Sequence, residues 1–134
     1  MHAECLFCQR CDTTKHRIIA ENEHAYARWD NFAVSQGHLE VVPKRHVESF
    51  FDLSEVEVLA IHRLLKLARR EVIKQGISLG YVPDGYNGGF NEGEAAGRTV
   101  HHFHFHLIPR YWGDVPKPRG GIRHIIPDKG DYKG

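Results

Sequence analysis

Apolar residues recur at Val58, Ile61, Leu65, Ala68 and Val72, three or four positions apart, and this period predicts one helix over roughly Ser54 to Gln75. Ser54 and Glu57 form a capping box at its start. Glu55 and Glu57 fall in the first turn and Arg69, Arg70 and Lys74 toward the end, as the helix dipole favours. Gly76 is the expected C′ residue. The stripe itself reads as core or as a dimer interface. A period of two governs residues 99–109, Thr-Val-His-His-Phe-His-Phe-His-Leu-Ile-Pro, and predicts a strand. Further strands are expected at Arg17 to Glu21, at His24 to Trp29 beyond a turn at Asn22-Glu23, and at Gly37 to Val42, stopped by Pro43. Tyr86 to Asn91 reads as one more, with Gly88 and Gly89 allowing a close approach. The short link Glu92 to Arg98 should join it to the 99–109 strand as an antiparallel pair. Strands, one helix, then strands imply an α+β fold with a mainly antiparallel sheet.

Composition narrows the class. The 134 residues suit one domain, expected over 1–134, with a Gly- and Pro-rich tail of little regular structure from about 111 to 134. No internal repeat or linker interrupts the chain. Net charge is +1, which gives no basis for nucleic-acid binding or a charged membrane-surface role. No apolar run approaches the ~20 residues of a bilayer span, and Met1 to Arg10 lacks a signal-peptide layout. Cys5, Cys8 and Cys11 are crowded and odd in number, which fits a cytoplasmic chain with metal-binding thiols better than a disulfide framework. Histidine is the outlier, at 11 residues.

The 99–109 strand carries the chemistry. Alternation puts His102, His104 and His106 on one face and Phe103, Phe105 and Leu107 on the other. Imidazoles are poor core material, because each ring needs partners for two nitrogens. A solvated strand face is the bland alternative. A metal site is a sharper one. Alternate residues lie ~6.5–7 Å apart, so two adjacent imidazoles can converge on one zinc but three cannot easily do so. Nucleophilic catalysis uses the set more naturally, with the central ring attacking and its neighbours orienting it or stabilising charge. Neutral imidazole is available near neutral pH, its pKa being ~6.5. Histidine is chemically suited to phosphoryl or nucleotidyl transfer.

His102-Phe103-His104-Phe105-His106-Leu107-Ile108 resembles the His-x-His-x-His-x-x signature, with x apolar, of the histidine triad (HIT) superfamily. Gly37-His38-Leu39-Glu40-Val41-Val42-Pro43-Lys44-Arg45-His46 is similar to that family's strand ending in Pro-Lys and a histidine. Asn91-Glu92-Gly93, with Ala96-Gly97 and Thr99-Val100, is similar to the segment before its triad. The likeness spans about residues 5 to 130.

The resemblance implies a HIT-like fold of about five strands and one long helix, its sheet continued across a homodimer. It implies a purine nucleotide substrate cleaved at the α-phosphate. His104 becomes the nucleophile, His106 the residue that contacts the phosphate, and His102 a positioning residue. Asn91 is implied to hold the nucleotide or phosphate, and Thr99 to donate its hydroxyl to a phosphate oxygen. Asp30 stands where the family places an acid on the ribose, although Asp30-Asn31-Phe32-Ala33 departs from the commoner Asp-apolar-x-Pro pattern. A surface-turn aspartate is the other reading. Arg98 replaces a common Gln. It is either a further cation near the phosphates, favouring a polyphosphate leaving group, or a solvent-facing loop arginine. In relatives bearing C-x-x-C, the thiols share a structural zinc with two histidines, here Cys5, Cys8, His46 and His102, with Cys11 a bystander.

His16, His24, His62 and His124 read as surface residues, and Lys117, Arg119 and Arg123 as a solvated face of the tail. The implied activity is a hydrolase of dinucleoside polyphosphates, such as diadenosine tetraphosphate, or of AMP esters and amidates. A phosphorylase or transferase on the same intermediate, and a zinc-stabilised nucleotide-binding protein without turnover, are the alternatives. Sequence does not separate water from phosphate as acceptor.

Overall fold

The computed structural model describes residues 4–133. Five strands form one antiparallel sheet in the order β1-β2-β3-β5-β4. They are β1 (Ile18–Glu21), β2 (Ala25–Trp29), β3 (Leu39–Pro43), β4 (Gly85–Gly89) and β5 (Phe105–Arg110), with one helix, α1 (Glu55–Leu79), between β3 and β4. The α+β reading of one long helix and an antiparallel sheet is what the chain adopts.

Alternation sorts the central strands. Ala25, Ala27, Leu39 and Val41 pack with Ala60, Ile61, Leu64, Ala68 and Val72 of α1 and with Phe103. The buried helix face is shifted from the expected stripe. Leu64 is 2% exposed and replaces Val58, which is 41% exposed. Ala60, Leu64, Ala68, Val72 and Gly76 stand four apart in one row, the buried stripe of an amphipathic helix.

Ser54 and Glu57 make the expected capping box, and Arg45 adds a two-pronged bond to Glu57. The helix passes Gly76 and ends at Leu79, with the turn at Gly80 (φ 89°). The amide of Tyr81 donates to the carbonyl of Gly76 at 2.8 Å and that of Gly80 to Ile77 at 3.3 Å, a Schellman closure. Gly76 is needed for another reason: a Cβ there would lie 2.2 Å from the carbonyl oxygen of Tyr81. Arg69, Arg70 and Lys74 therefore stand before the last turn, which holds no basic residue.

The histidine strand is shorter than its alternation suggested. Its ladder begins at Phe105, because β3 offers partners only from Leu39 to Val41. Ahead of it, the amide of Phe103 bonds the carbonyl of Val47 at 2.7 Å. β4 pairs antiparallel with β5, as expected. The tail carries a short 3-10 turn, Gly121–Ile125, and an Arg119–Asp131 ion pair. Among the described residues no helix is long and apolar enough to cross a membrane.

Candidate active site on the open sheet face

The sheet face opposite α1 is built from the other half of the alternation. Arg28 on β2, His38 just before β3, Glu40 on β3, and His104 and His106 along the β5 segment lie there, with Asp30 just beyond β2. Phe7, from a short turn at Leu6–Gln9, covers one end and packs with Tyr26 and Val42. The hydroxyl of Tyr26 donates to the carbonyl of Phe7 at 2.6 Å. His16 corrects the sequence reading of a surface histidine. It is 3% exposed, its ring bonded to the carbonyl of Leu6 at 2.9 Å, because the N-terminal segment folds back over it.

Fixed backbone groups decide which ring nitrogen carries each proton. His104 Nδ1 faces the carbonyl of His102 at 2.8 Å, so Nδ1–H donates and Nε2 keeps its lone pair. The amide of Val34 donates to His38 Nδ1 at 3.2 Å. Neutral His38 then carries its proton on Nε2, 2.9 Å from His106 Nδ1. His106 accepts there and directs Nε2–H outward. The His104 and His106 rings are 5.1 Å apart. Burial lowers the pKa of His104. Burial, then the nearby His104 and His38, lower that of His106 to about 4. The face thus presents one bare nitrogen beside one N–H donor, both on rings kept neutral.

Asp30 is 9% exposed and not on a surface turn. Its Oδ1 accepts from the amide of Phe32 at 2.6 Å, and Oδ2 is 3.4 Å from His38 Nε2 and 3.7 Å from His106 Nδ1. Asn91 and Thr99 lie exposed on the link between β4 and β5. Arg98 is turned away from open solvent. It donates to the carbonyl of Glu48 at 3.1 Å and pairs with that carboxylate at 3.5 Å. The sequence alone assigns no role to His38, Arg28 or Glu40. The available signal was the alternation of His38, Glu40 and Val42 along the strand that borders the triad.

His102 is fully buried and serves a different cluster. Its Nε2–H donates to the carbonyl of Pro43 at 2.7 Å. Its Nδ1 faces Cys5 Sγ at 3.4 Å and Cys8 Sγ at 3.5 Å, and Cys8 Sγ is 3.3 Å from His46 Nδ1. Tetrahedral zinc with ordinary bond lengths separates sulfur from nitrogen ligands by about 3.5 Å. Cys5, Cys8, His46 and His102 therefore fit a four-coordinate metal, all four ligand atoms lying within 4.8 Å of one another. Without a cation, burial and the adjacent Cys5 push the Cys8 thiol up to about 11, so two thiolates side by side call for a positive ion. Cys11 is exposed and outside this cluster. The other polar groupings, around Asp30 and Glu40, are already tied by hydrogen bonds among themselves and to Arg28.

The family model described as the HIT domain matches residues 12–113. An uncharacterised HIT-like protein of Methanocaldococcus jannaschii is 39% identical over 82% of this chain and 81% of its own length. The AP-4-A phosphorylase of Mycobacterium tuberculosis is 36% identical over 73% of this chain, which spans 48% of that enzyme. Among solved structures, a Zn-bound histidine triad family protein from Mycobacterium smegmatis superposes with a TM-score of 0.63 at 27% identity, covering 85% of this chain and 80% of that one.

Proposed function

For a chain that belongs to the HIT domain family, we propose a hydrolase that cleaves the α-phosphate of a purine nucleotide through a nucleotidyl-histidine intermediate. The observation that carries this is the bond from His104 Nδ1 to the carbonyl of His102, which leaves Nε2 bare on a neutral ring. Nε2 attacks the α-phosphorus and the leaving group departs. His106 Nε2–H, oriented through His38, donates to a phosphoryl oxygen as charge grows there. Water then releases the nucleoside monophosphate. Asn91 and Thr99 hold the phosphate and nucleotide, Asp30 supports the ribose end, and Arg98 stands near the phosphates. The substrates are dinucleoside polyphosphates, such as diadenosine tetraphosphate, or AMP esters and amidates. Homology to the AP-4-A phosphorylase supports a second reading, in which phosphate replaces water on the same intermediate.

The Cys5, Cys8, His46 and His102 cluster holds a structural zinc in this reading. The zinc supplies the positive charge that keeps both thiolates ionised. Its ligands pin the N-terminal segment, and Phe7 with it, to the strand of His104. The acting form is a homodimer that works without nucleic acid or membrane.

Trapping with an alkaline quench tests the proposal, because the phosphorus–nitrogen bond of a nucleotidyl-histidine survives base and hydrolyses in acid. The 134-residue chain mixed with diadenosine tetraphosphate or an adenosine phosphoramidate, then quenched, should carry one nucleotidyl mass on the peptide holding His104. His104→Ala should carry none and lose turnover. An adduct on another residue, or turnover retained by His104→Ala, contradicts it.

A further inference from the structure

The face that carries His104 and His106 also carries a buried ion pair with no part in the chemistry above. Arg28 and Glu40 stand opposite each other across β2 and β3, and Glu40 is in register with His106 on β5. The two charges are 2% and 4% exposed. Arg28 Nη1 donates to Glu40 Oε1, and Nη2 donates to the carbonyl of Lys15 at 3.2 Å. Phe7 lies over the guanidinium, its ring centroid 5.3 Å away, and packs against the ring of His104. Enclosing two opposite charges costs solvation that their attraction seldom returns, and an apolar pair of the same volume is often as stable. Stability alone gives no reason for this pair.

The second carboxylate oxygen supplies one. Glu40 Oε2 is 3.9 Å from His104 Nε2 and 4.0 Å from His106 Nε2, the two nitrogens that the site presents. Because Arg28 grips Oε1, Oε2 is held beside both of these nitrogens.

We propose that Glu40, oriented by Arg28, makes water the acceptor of the nucleotidyl group on His104 and turns inorganic phosphate away. The inference rests on the nucleotidyl-histidine reading. In the step, a water oxygen bonds to phosphorus as the bond from phosphorus to His104 Nε2 breaks. The electron pair of that bond returns to Nε2, the water proton passes to Glu40 Oε2, and the nucleoside monophosphate leaves. An anionic acceptor approaching the same carboxylate meets like-charge repulsion, whereas water does not. Burial, reinforced by Asp30, pushes the Glu40 carboxyl up to about 7, a proton affinity suited to a base working near neutrality.

Product partition tests this. The 134-residue chain is given diadenosine tetraphosphate, or an adenosine phosphoramidate, in rising inorganic phosphate, and products are read by mass. AMP reports water as acceptor and ADP reports phosphate. The unaltered chain should give AMP throughout. Glu40→Gln should form the His104 adduct, release AMP about 10²-fold more slowly or worse, and yield ADP as phosphate is added. If Glu40→Gln fails to fold, the double variant Arg28→Met/Glu40→Met, with an apolar pair in the same space, is read for the same outcomes. AMP release at the unaltered rate, or ADP from the unaltered chain as readily as from the variant, overturns the role of Glu40 and leaves the intermediate standing. A chain that forms no adduct on His104 with either substrate overturns both.

Discussion

The two faces of the sheet are made from the same strands and held by different physics. On the α1 face, Ala25, Ala27, Leu39 and Val41 meet the helix through volume alone. On the open face, their neighbours Arg28, His38, Glu40 and His106 are equally enclosed or nearly so, yet each is placed by a directed bond. The apolar face tolerates a change of shape at a cost in stability. The polar face has little such tolerance, because one lost partner changes which nitrogen carries a proton.

Crossed substitutions break the comparison most sharply. His104→Ala should reduce turnover by about 10³-fold or more, since loss of a nucleophile removes the covalent route. Its loss of stability should be smaller than that of a core truncation, limited to one carbonyl bond and the contact with Phe7. Leu64→Ala on the helix face should do the reverse, costing about 2–5 kcal/mol of stability with turnover at low temperature largely retained. Denaturant melts and steady-state rates on both variants check this. A large stability loss in His104→Ala would blur the distinction.

Next in size is the metal cluster. Cys8→Ser should lower bound zinc and the melting temperature together, and it should loosen Phe7 from His104, reducing turnover less than His104→Ala does. Metal analysis of chelator-free protein, paired with thermal melts, reads both. Equal zinc content in the two proteins would remove the assignment.

Acid should separate the faces more gently. His16, His38, His104 and His106 all have pKa values lowered by burial. The unfolded chain takes up protons at histidine from ~6.5 downward while the folded chain resists, so stability falls with pH through that window. For His106 the window extends down to about 4. Glu40 acts oppositely. Its folded carboxyl keeps a proton up to about 7 and its unfolded one releases it near 4.5, so it loses stability as pH rises. Below 4.5 Glu40 is protonated in both states and drops out, while His106 still resists protonation and Glu57, held at about 2 chiefly by its hydrogen bond from Arg45, begins to lose its partner, so stability falls in acid there. Melts across this range should show it, and a flat profile would contradict the burial argument.

The apolar face was legible in the sequence and the polar face only in part. Helical spacing found α1 and its cap but misjudged its inward row, because Val58 and Leu64 are equally apolar and only the packing chooses between them. The end of the helix was missed for a local reason: Gly76 serves a close approach of the returning chain, while Gly80 makes the turn. Alternation found the three histidines as a set. It did not show that His102 turns to the thiols while His104 and His106 face the open side, since that depends on Pro43 and Val47 holding the segment ahead of β5. Arg28 and Glu40 lie on other strands and only register brings them to the triad, while His38, just before β3, reaches His106 through its ring nitrogen.

The account depends on where two protons sit. Nitrogen-15 chemical shifts of the imidazoles near neutral pH report this directly. His104 should be protonated at Nδ1 with Nε2 bare, and His106 protonated at Nε2. A His104 ring carrying its proton on Nε2, or charged at that pH, would leave no lone pair to meet phosphorus and would contradict the account.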